Sequence, residues 1–201
     1  MTDQTGKLFG VEDALSNVNS AWGVWTVEYL VRLGVTRFVV SPGSRSTPLT
    51  VAVARHPLAQ VHVVLDERSA AFFALGLARS RDEPVVLICT SGSAGAHYYP
   101  AVIEAAESFV SLIVLTADRP DELQGCHAGQ TIDQRSLYGE FTRCFTQAPV
   151  PEVGASVLEK WRRLLSHAVQ AAINPKKGAV QINCPFRDPL HPVVGQVDPK
   201  V

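Results

Sequence analysis

The chain has 201 residues, 46% of them hydrophobic and 18% charged, and 18 Lys and Arg against 19 Asp and Glu leave a net charge of −1. That is enough apolar material for one large domain with a real core, and the balanced, scattered charge offers no basic field for nucleic acid or an acidic surface. No apolar run reaches membrane-spanning length, and Cys89, Cys126, Cys144 and Cys184 form none of the C-x-x-C pairs that zinc or a redox couple needs.

In chain order, Met1 to Gly10 is polar and carries Asp3, unlike a signal or transit peptide, so the expected location is the cytoplasm, or a plastid if a presequence has been removed. Asn17-Val18-Asn19-Ser20 offers an N-cap, and Trp22, Trp25, Tyr29 and Leu33 recur at three- and four-residue steps, which predicts an amphipathic helix from Ala21 to Leu33 closed by Gly34. Arg37 to Val40 reads as a strand. A turn-rich segment, Ser41 to Pro48, leads into a helix over Leu49 to Arg55 with Thr47 as its cap. Val61 to Leu65 is the next strand, and it turns at Asp66 into an apolar helix that ends near Arg81.

Val85 to Cys89 is a continuous apolar strand of the kind buried on both faces of a parallel sheet. A helix follows from about Tyr98 to Glu107, then a strand from Leu112 to Thr116. Asp121 to Tyr138 has little periodicity and reads as a long loop with one short helix; a weaker strand covers Phe141 to Thr146, a helix Val157 to Ile173, and a last strand Ala179 to Asn183. This alternation predicts an α/β fold, doubly wound, with a mainly parallel sheet and helices on both faces. Residues 1–16 form a polar lead and 17–184 the domain. From Pro185, with Pro189, Pro192 and Pro199 behind it, residues 185–201 form an extended linker.

In such sheets ligands bind beyond the carboxyl ends of the strands. Four loops qualify: Ser41 to Thr47, Asp66-Glu67, Thr90 to Gly95, and Ala117 to Pro120. In the first, Gly43 permits close backbone approach, Ser44 donates, and Arg45 offers a bidentate fork for a carboxylate or phosphate, against the plainer reading of a turn with a surface arginine. Arg119 is either a second fork or half of a surface pair with Asp118. The Thr90 loop is neither a Walker loop nor a G-x-G-x-x-G fingerprint nor a G-x-S-x-G elbow. His97 and His127 lack metal-ligand spacing and read as structural; no metal site is expected.

Glu67 has two readings. An acidic residue in a first helical turn complements the helix dipole by about 0.3–1 kcal/mol. Yet Asp66 already supplies a cap, and the helix behind is too apolar for a surface. Ala70, Ala74 and Ala78, with Gly76, would let another helix approach closely. That favours a carboxylate held at a dry interface between subunits or domains.

Seven strings occur together in one order: Ser41-Pro-Gly-Ser-Arg-Ser-Thr-Pro-Leu49, Asp66-Glu-Arg-Ser69, Thr90-Ser-Gly92, Tyr99-Pro-Ala-Val-Ile-Glu-Ala105, Leu115-Thr-Ala-Asp-Arg-Pro120, Gln130-Thr-Ile-Asp-Gln134 and Ile182-Asn-Cys-Pro-Phe186. On these, about residues 17–190 closely resemble the N-terminal, pyrimidine-binding domain of the MenD family, the thiamine-diphosphate-dependent SEPHCHC synthases of menaquinone and phylloquinone biosynthesis.

The resemblance implies a carboligation in which 2-oxoglutarate is decarboxylated and the remainder is added to isochorismate. It makes Glu67 the catalytic carboxyl group on N1′ of the coenzyme's aminopyrimidine. Pro42, Gly43, Thr90, Ser91 and Gly92 would line the pyrimidine pocket, and Ser44, Arg45, Arg119 and Gln130 would hold substrate carboxylates. It also implies a homodimer or tetramer, and a diphosphate-binding domain, in cis or in trans, that carries Mg²⁺ and is absent here, so that this chain alone would be inactive. His127-Ala128-Gly129-Gln130 departs from the family's usual Gly-Ala-Asn-Gln, and Gly95 and His97 stand where Val and Asn are typical. Those changes motivate an alternative, a non-catalytic ligand-binding or regulatory module derived from the same domain.

Overall fold

The computed structural model describes residues 16–192; most of the polar lead, 1–15, and the end of the linker, 193–201, lie outside the described residues. In chain order the elements are α1 (Val18–Arg32), β1 (Arg37–Val40), α2 (Thr47–Arg55), β2 (Gln60–Val63), α3 (Glu67–Arg81), β3 (Val85–Cys89), α4 (Tyr99–Glu107), β4 (Leu112–Asp118), β5 (Thr142–Gln147), α5 (Ala155–Ile173) and β6 (Ala179–Pro185). Short 3₁₀ turns cover Ser44–Ser46, Gly92–Tyr98, Asp121–Leu123 and Gly139–Phe141.

The six strands form one sheet in the order β2-β1-β3-β4-β6-β5, parallel at every pairing. From β1 the chain steps outward to β2 and then crosses back to β3 on the other side, so the topological switch lies between β1 and β3. Residues of α1, α2 and α5 pack with Phe38, Val40, Val86 and Ile88 in one core, while α3 and α4 pack with Val39, Leu87, Cys89 and Val114 in the other. Every residue of β3, β4 and β6 is buried, as strands covered on both faces require. The doubly wound α/β expectation is therefore met.

On the α1/α5 side, fully buried Trp161 stacks on Trp22 with centroids 6.1 Å apart and donates its indole N–H to Thr26 Oγ1 at 2.9 Å. Thr26 in turn donates to the Trp22 carbonyl at 2.7 Å, so the polar edge of the tryptophan is satisfied inside the core. Asn17 caps α1 by accepting from Ser20 N at 2.9 Å, and Gly34, at φ +87°, ends it.

Several boundaries shift. Helix α2 starts at Thr47, whose hydroxyl donates back to Ser44 O at 2.7 Å instead of capping the helix. Strand β2 stops at Val63; Val64 keeps one sheet bond, to Val40 O, and Leu65 turns out to 78% exposure. Strands β4 and β6 each run two residues further than expected, because Ala117 pairs with Cys184 and Asp118 with Pro185.

The small residues of α3 require a correction. Ala70, Ala74 and Ala78 face inward, packed in the core with α4 and β3, and the helix instead turns Phe72, Phe73 and Gly76 outward. The linker also begins by packing: Phe186 and Leu190 are buried, and Asn19 donates to the carbonyls of Arg187 and Pro189.

Candidate functional site

Because all six strands are parallel, the loops after them line up along one rim, and the β1/β3 switch opens a crevice in it. The two loops beside that crevice touch. A Cβ at Gly43 would lie 2.7 Å from Thr90 Cγ2 and closer still to Thr90 Cβ, so only glycine fits there. Thr90 is 8% exposed, and its hydroxyl oxygen is buried without a hydrogen-bond partner. An orphaned buried hydroxyl costs free energy unless something else satisfies it, and here it sits where the fold would place a ligand. The floor beneath is braced: Tyr98 donates to Ile88 O at 3.0 Å, and the Ser41 hydroxyl to Val64 O at 3.0 Å. Pro42 and Ser44 are exposed on the lip.

Glu67 opens α3 behind its cap, Asp66, which accepts from Ser69 N at 2.8 Å. The Glu67 carboxylate is half-buried and makes no hydrogen bond or ion pair among the described residues. Its charge reaches the crevice wall. Burial pushes the Cys89 thiol far up, a hydrogen bond with Tyr98 counteracts this, and the negative charge of Glu67 adds to the upward shift.

Further along the rim the candidate residues converge. Arg119 Nη1 donates to Gln130 O at 2.6 Å and to the Ser91 hydroxyl, while Gln130 Nε2 donates to Ser91 O at 3.1 Å. Gly92 adopts φ +83°, and a Cβ on it would meet Gln130 Cγ at 2.9 Å. Asp118 and Arg119 do not form a surface pair. Asp118 is 3% exposed and accepts the Arg119 backbone N–H at 2.7 Å, while the guanidinium points to Ser91 and Gln130.

Beneath these loops lies a buried polar network that sequence reasoning missed. Gln134, 1% exposed, accepts from Gly92 N at 2.7 Å and donates to Asn183 Oδ1 at 2.9 Å and to Ala117 O at 3.2 Å. Asn183 also accepts from Thr116 Oγ1 and donates to Asp118 Oδ2, each at 2.8 Å. The network is anchored to the rim at Gly92 N through Gln134 and at Arg119 N through Asp118. The usable signal was polar residues inside apolar strands: Thr116 and Asp118 in β4, Gln181 and Asn183 in β6. Burial raises the Asp118 carboxyl above its ordinary value, partly offset by its bonds from Asn183, Arg119 N and Gln124.

Arg45 is placed differently. It is 7% exposed, donates through Nη1 to Phe186 O at 2.8 Å and to Asp188 Oδ2 at 3.3 Å, and its buried Nε finds no acceptor. It is close enough to Arg119 to act on it. Burial first, then the Arg45 charge, lowers the Arg119 pKa, with Asp118 and Asp188 opposing. Across the described residues no group of three or more His, Cys, Asp or Glu could hold a metal ion, and no helix is long and apolar enough to cross a membrane.

Comparison with known proteins adds to this geometry. Residues 22–137 match the family described as thiamine pyrophosphate enzyme, N-terminal TPP binding domain. Relatives named 2-succinyl-5-enolpyruvyl-6-hydroxy-3-cyclohexene-1-carboxylate synthase include one from Microcystis aeruginosa, 55% identical over 88% of this chain and 31% of its own length. Another from Gloeothece citriformis is 53% identical over 88% of this chain and 30% of its own, and one from Nostoc sp. 49% over 92% and 32%. The chain spans about a third of the length of these relatives.

Proposed function

Given that the chain belongs to the thiamine pyrophosphate enzyme family as an N-terminal TPP-binding domain of the SEPHCHC synthase type, we propose that it grips the pyrimidine end of thiamine diphosphate through Glu67. The observation that carries this reading is the pair of unsatisfied groups at the crevice: a carboxylate without a partner at the head of α3, and the buried, orphaned hydroxyl of Thr90. Both fit a polar heterocycle.

Glu67 holds the N1′ edge and its proton, with Thr90, Ser91, Gly92, Gly43 and Pro42 shaping the pocket. The coenzyme, when bound, supplies the carbanion chemistry of decarboxylation and carbon–carbon bond formation. Arg119 and Gln130, with Ser44 and Arg45, orient substrate carboxylates by charge-assisted hydrogen bonds. The substrates are 2-oxoglutarate and isochorismate, and the pathway is menaquinone or phylloquinone biosynthesis. The reaction is a group transfer that places the whole enzyme among the transferases.

On this reading residues 17–184 are the pyrimidine domain and 185–201 its exit toward the domains that hold the diphosphate and Mg²⁺, in a homodimer or tetramer in the cytoplasm or a plastid. A coenzyme held at one end binds feebly, so the isolated chain is inactive.

The test is Glu67→Gln in the full-length enzyme, assayed by CO₂ release dependent on both substrates. We expect a loss of about 10²- to 10⁴-fold, the usual contribution of a positioned proton-holding group. Folding stability should fall by no more than about 1 kcal/mol, the helix-dipole contribution. Wild-type turnover in the variant would remove Glu67 from the mechanism.

A further inference from the structure

The stretch from Phe186 to Leu190 is strapped along the rim, and one of its residues, Asp188, reaches Arg45. Phe186 N donates to Asp118 O at 3.0 Å, Asn19 donates to Arg187 O at 2.6 Å and to Pro189 O at 2.8 Å, and Asn17 donates to His191 O at 3.0 Å. Arg187 forms an ion pair with Glu122, just beyond Arg119-Pro120. The backbone on both sides of Asp188 is thus pinned, while its own side chain stays 71% exposed and lies 3.3 Å from the Arg45 guanidinium. Asp188 also opposes the effect of Arg45 on Arg119, so the three charges share one field.

We propose that Asp188 is a specificity-determining residue: a tethered carboxylate that neutralises the Arg45–Arg119 pair in the free enzyme and that an incoming substrate carboxylate displaces. This rests on the reading of Arg45 and Arg119 as carboxylate holders. The strength of the contact suits the task. An ion pair with one exposed partner is weak and exchanges readily, whereas a buried, bidentate carboxylate would lock the fork. Arg45 remains anchored to the strap through Phe186 O, so releasing Asp188 frees its charge without unseating the guanidinium, and its unsatisfied Nε leaves donor capacity for a better acceptor. The tethered anion also screens the pair against small inorganic anions, which lack the extra contacts needed to compete with it.

The experiment compares wild type, Asp188→Asn and Asp188→Glu in the full-length enzyme. Asp188→Asn removes the charge from an exposed side chain without disturbing the strap. The KM for isochorismate should fall by about two- to fivefold at unchanged kcat, the range of a partly exposed ion pair. A thermal-shift titration with inorganic phosphate should become correspondingly more sensitive, and Asp188→Glu should restore wild-type values in both. An unchanged or raised KM with no gain in phosphate response overturns the proposal, as does an equal gain in Asn and Glu variants, which would assign the effect to strap packing. Absence of isochorismate-dependent turnover in wild type would instead sink the functional reading, and the phosphate titration would still report on Asp188.

Discussion

Two stretches of the same rim are built in opposite ways. Beyond β3, β4 and β6 the chain builds its own polar network: Gln134, Asn183, Asp118 and Thr116 are buried and bonded to one another, and they hold the backbone N–H of Gly92 in one loop and of Arg119 in the next. Beyond β2 it does the reverse. Val63, Leu65, Phe72 and Phe73 are 63%, 78%, 46% and 43% exposed, and Glu67 among them has no partner in the described residues. A polar group can be satisfied locally by a well-placed neighbour, but an apolar face and a bare carboxylate beside it need another surface. The stretch that carries Ser91, Gly92 and Arg119 is thus braced within this chain, and the stretch that carries Glu67 is not.

The sharpest way to break the rim is Gly43→Ala, where the loop after β1 meets the loop after β3. The new methyl would overlap Thr90 Cβ, which no side-chain rotation can move, so either the Ser41–Ser46 loop or the Thr90 loop must move. Overpacking of this kind costs about 1–3 kcal/mol. Urea denaturation of wild type and variant measures it, and a difference under about 0.5 kcal/mol would mean that the two loops are not held as tightly as the contact implies.

Much of this contrast was legible in the residues, and the exceptions have physical causes. Strand β3 was readable to the residue because a run buried on both faces is continuously apolar and ends where polarity begins. Strands β4 and β6 were read two residues short, because Ala117-Asp118 and Cys184-Pro185 are held as strand by pairing with each other, which neither segment reveals alone. The alanines of α3 were read as a surface for another helix, and that helix is the chain's own α4, which helical periodicity cannot tell from a partner's. The cap at Asp66 was readable because it answers a local backbone demand, whereas the contact that makes residue 43 a glycine comes from Thr90 in another loop. The Arg45–Asp188 pairing was not, because 143 residues of chain separate the partners.

The contrast can be sharpened by pH. Asp118, in the braced stretch, has its carboxyl raised by burial, so the folded protein holds that proton more tightly than the unfolded chain does. Its contribution to stability is therefore greatest below the ordinary aspartate value of about 3.9 and is lost as pH rises through its raised folded value. Asp66, in the open stretch, shifts the other way. The Ser69 backbone N–H lowers it, so its contribution is present above about 3.9 and disappears as pH falls through its lowered folded value. Carboxyl carbon NMR titration should find Asp118 titrating above Asp66. The reverse order would mean that water reaches the buried network freely.

The smallest effect is expected at Gly76, and it separates an open face from a covered one. Gly76 is exposed in the interior of α3, and a Cβ built on it meets nothing within 4 Å. Glycine at such a site costs roughly 0.5–1 kcal/mol relative to alanine, because it has more backbone freedom to lose on folding. In this chain by itself Gly76→Ala should raise unfolding free energy by about that amount. In the full-length enzyme the same methyl would stand on the face beside Phe72 and Phe73, and a domain seated there would meet it. A gain in the chain that vanishes in the full-length enzyme would mark α3 as covered there, as the role proposed for Glu67 expects. An equal gain in both leaves this face open to water and counts against the dry surroundings that the role proposed for Glu67 assumes.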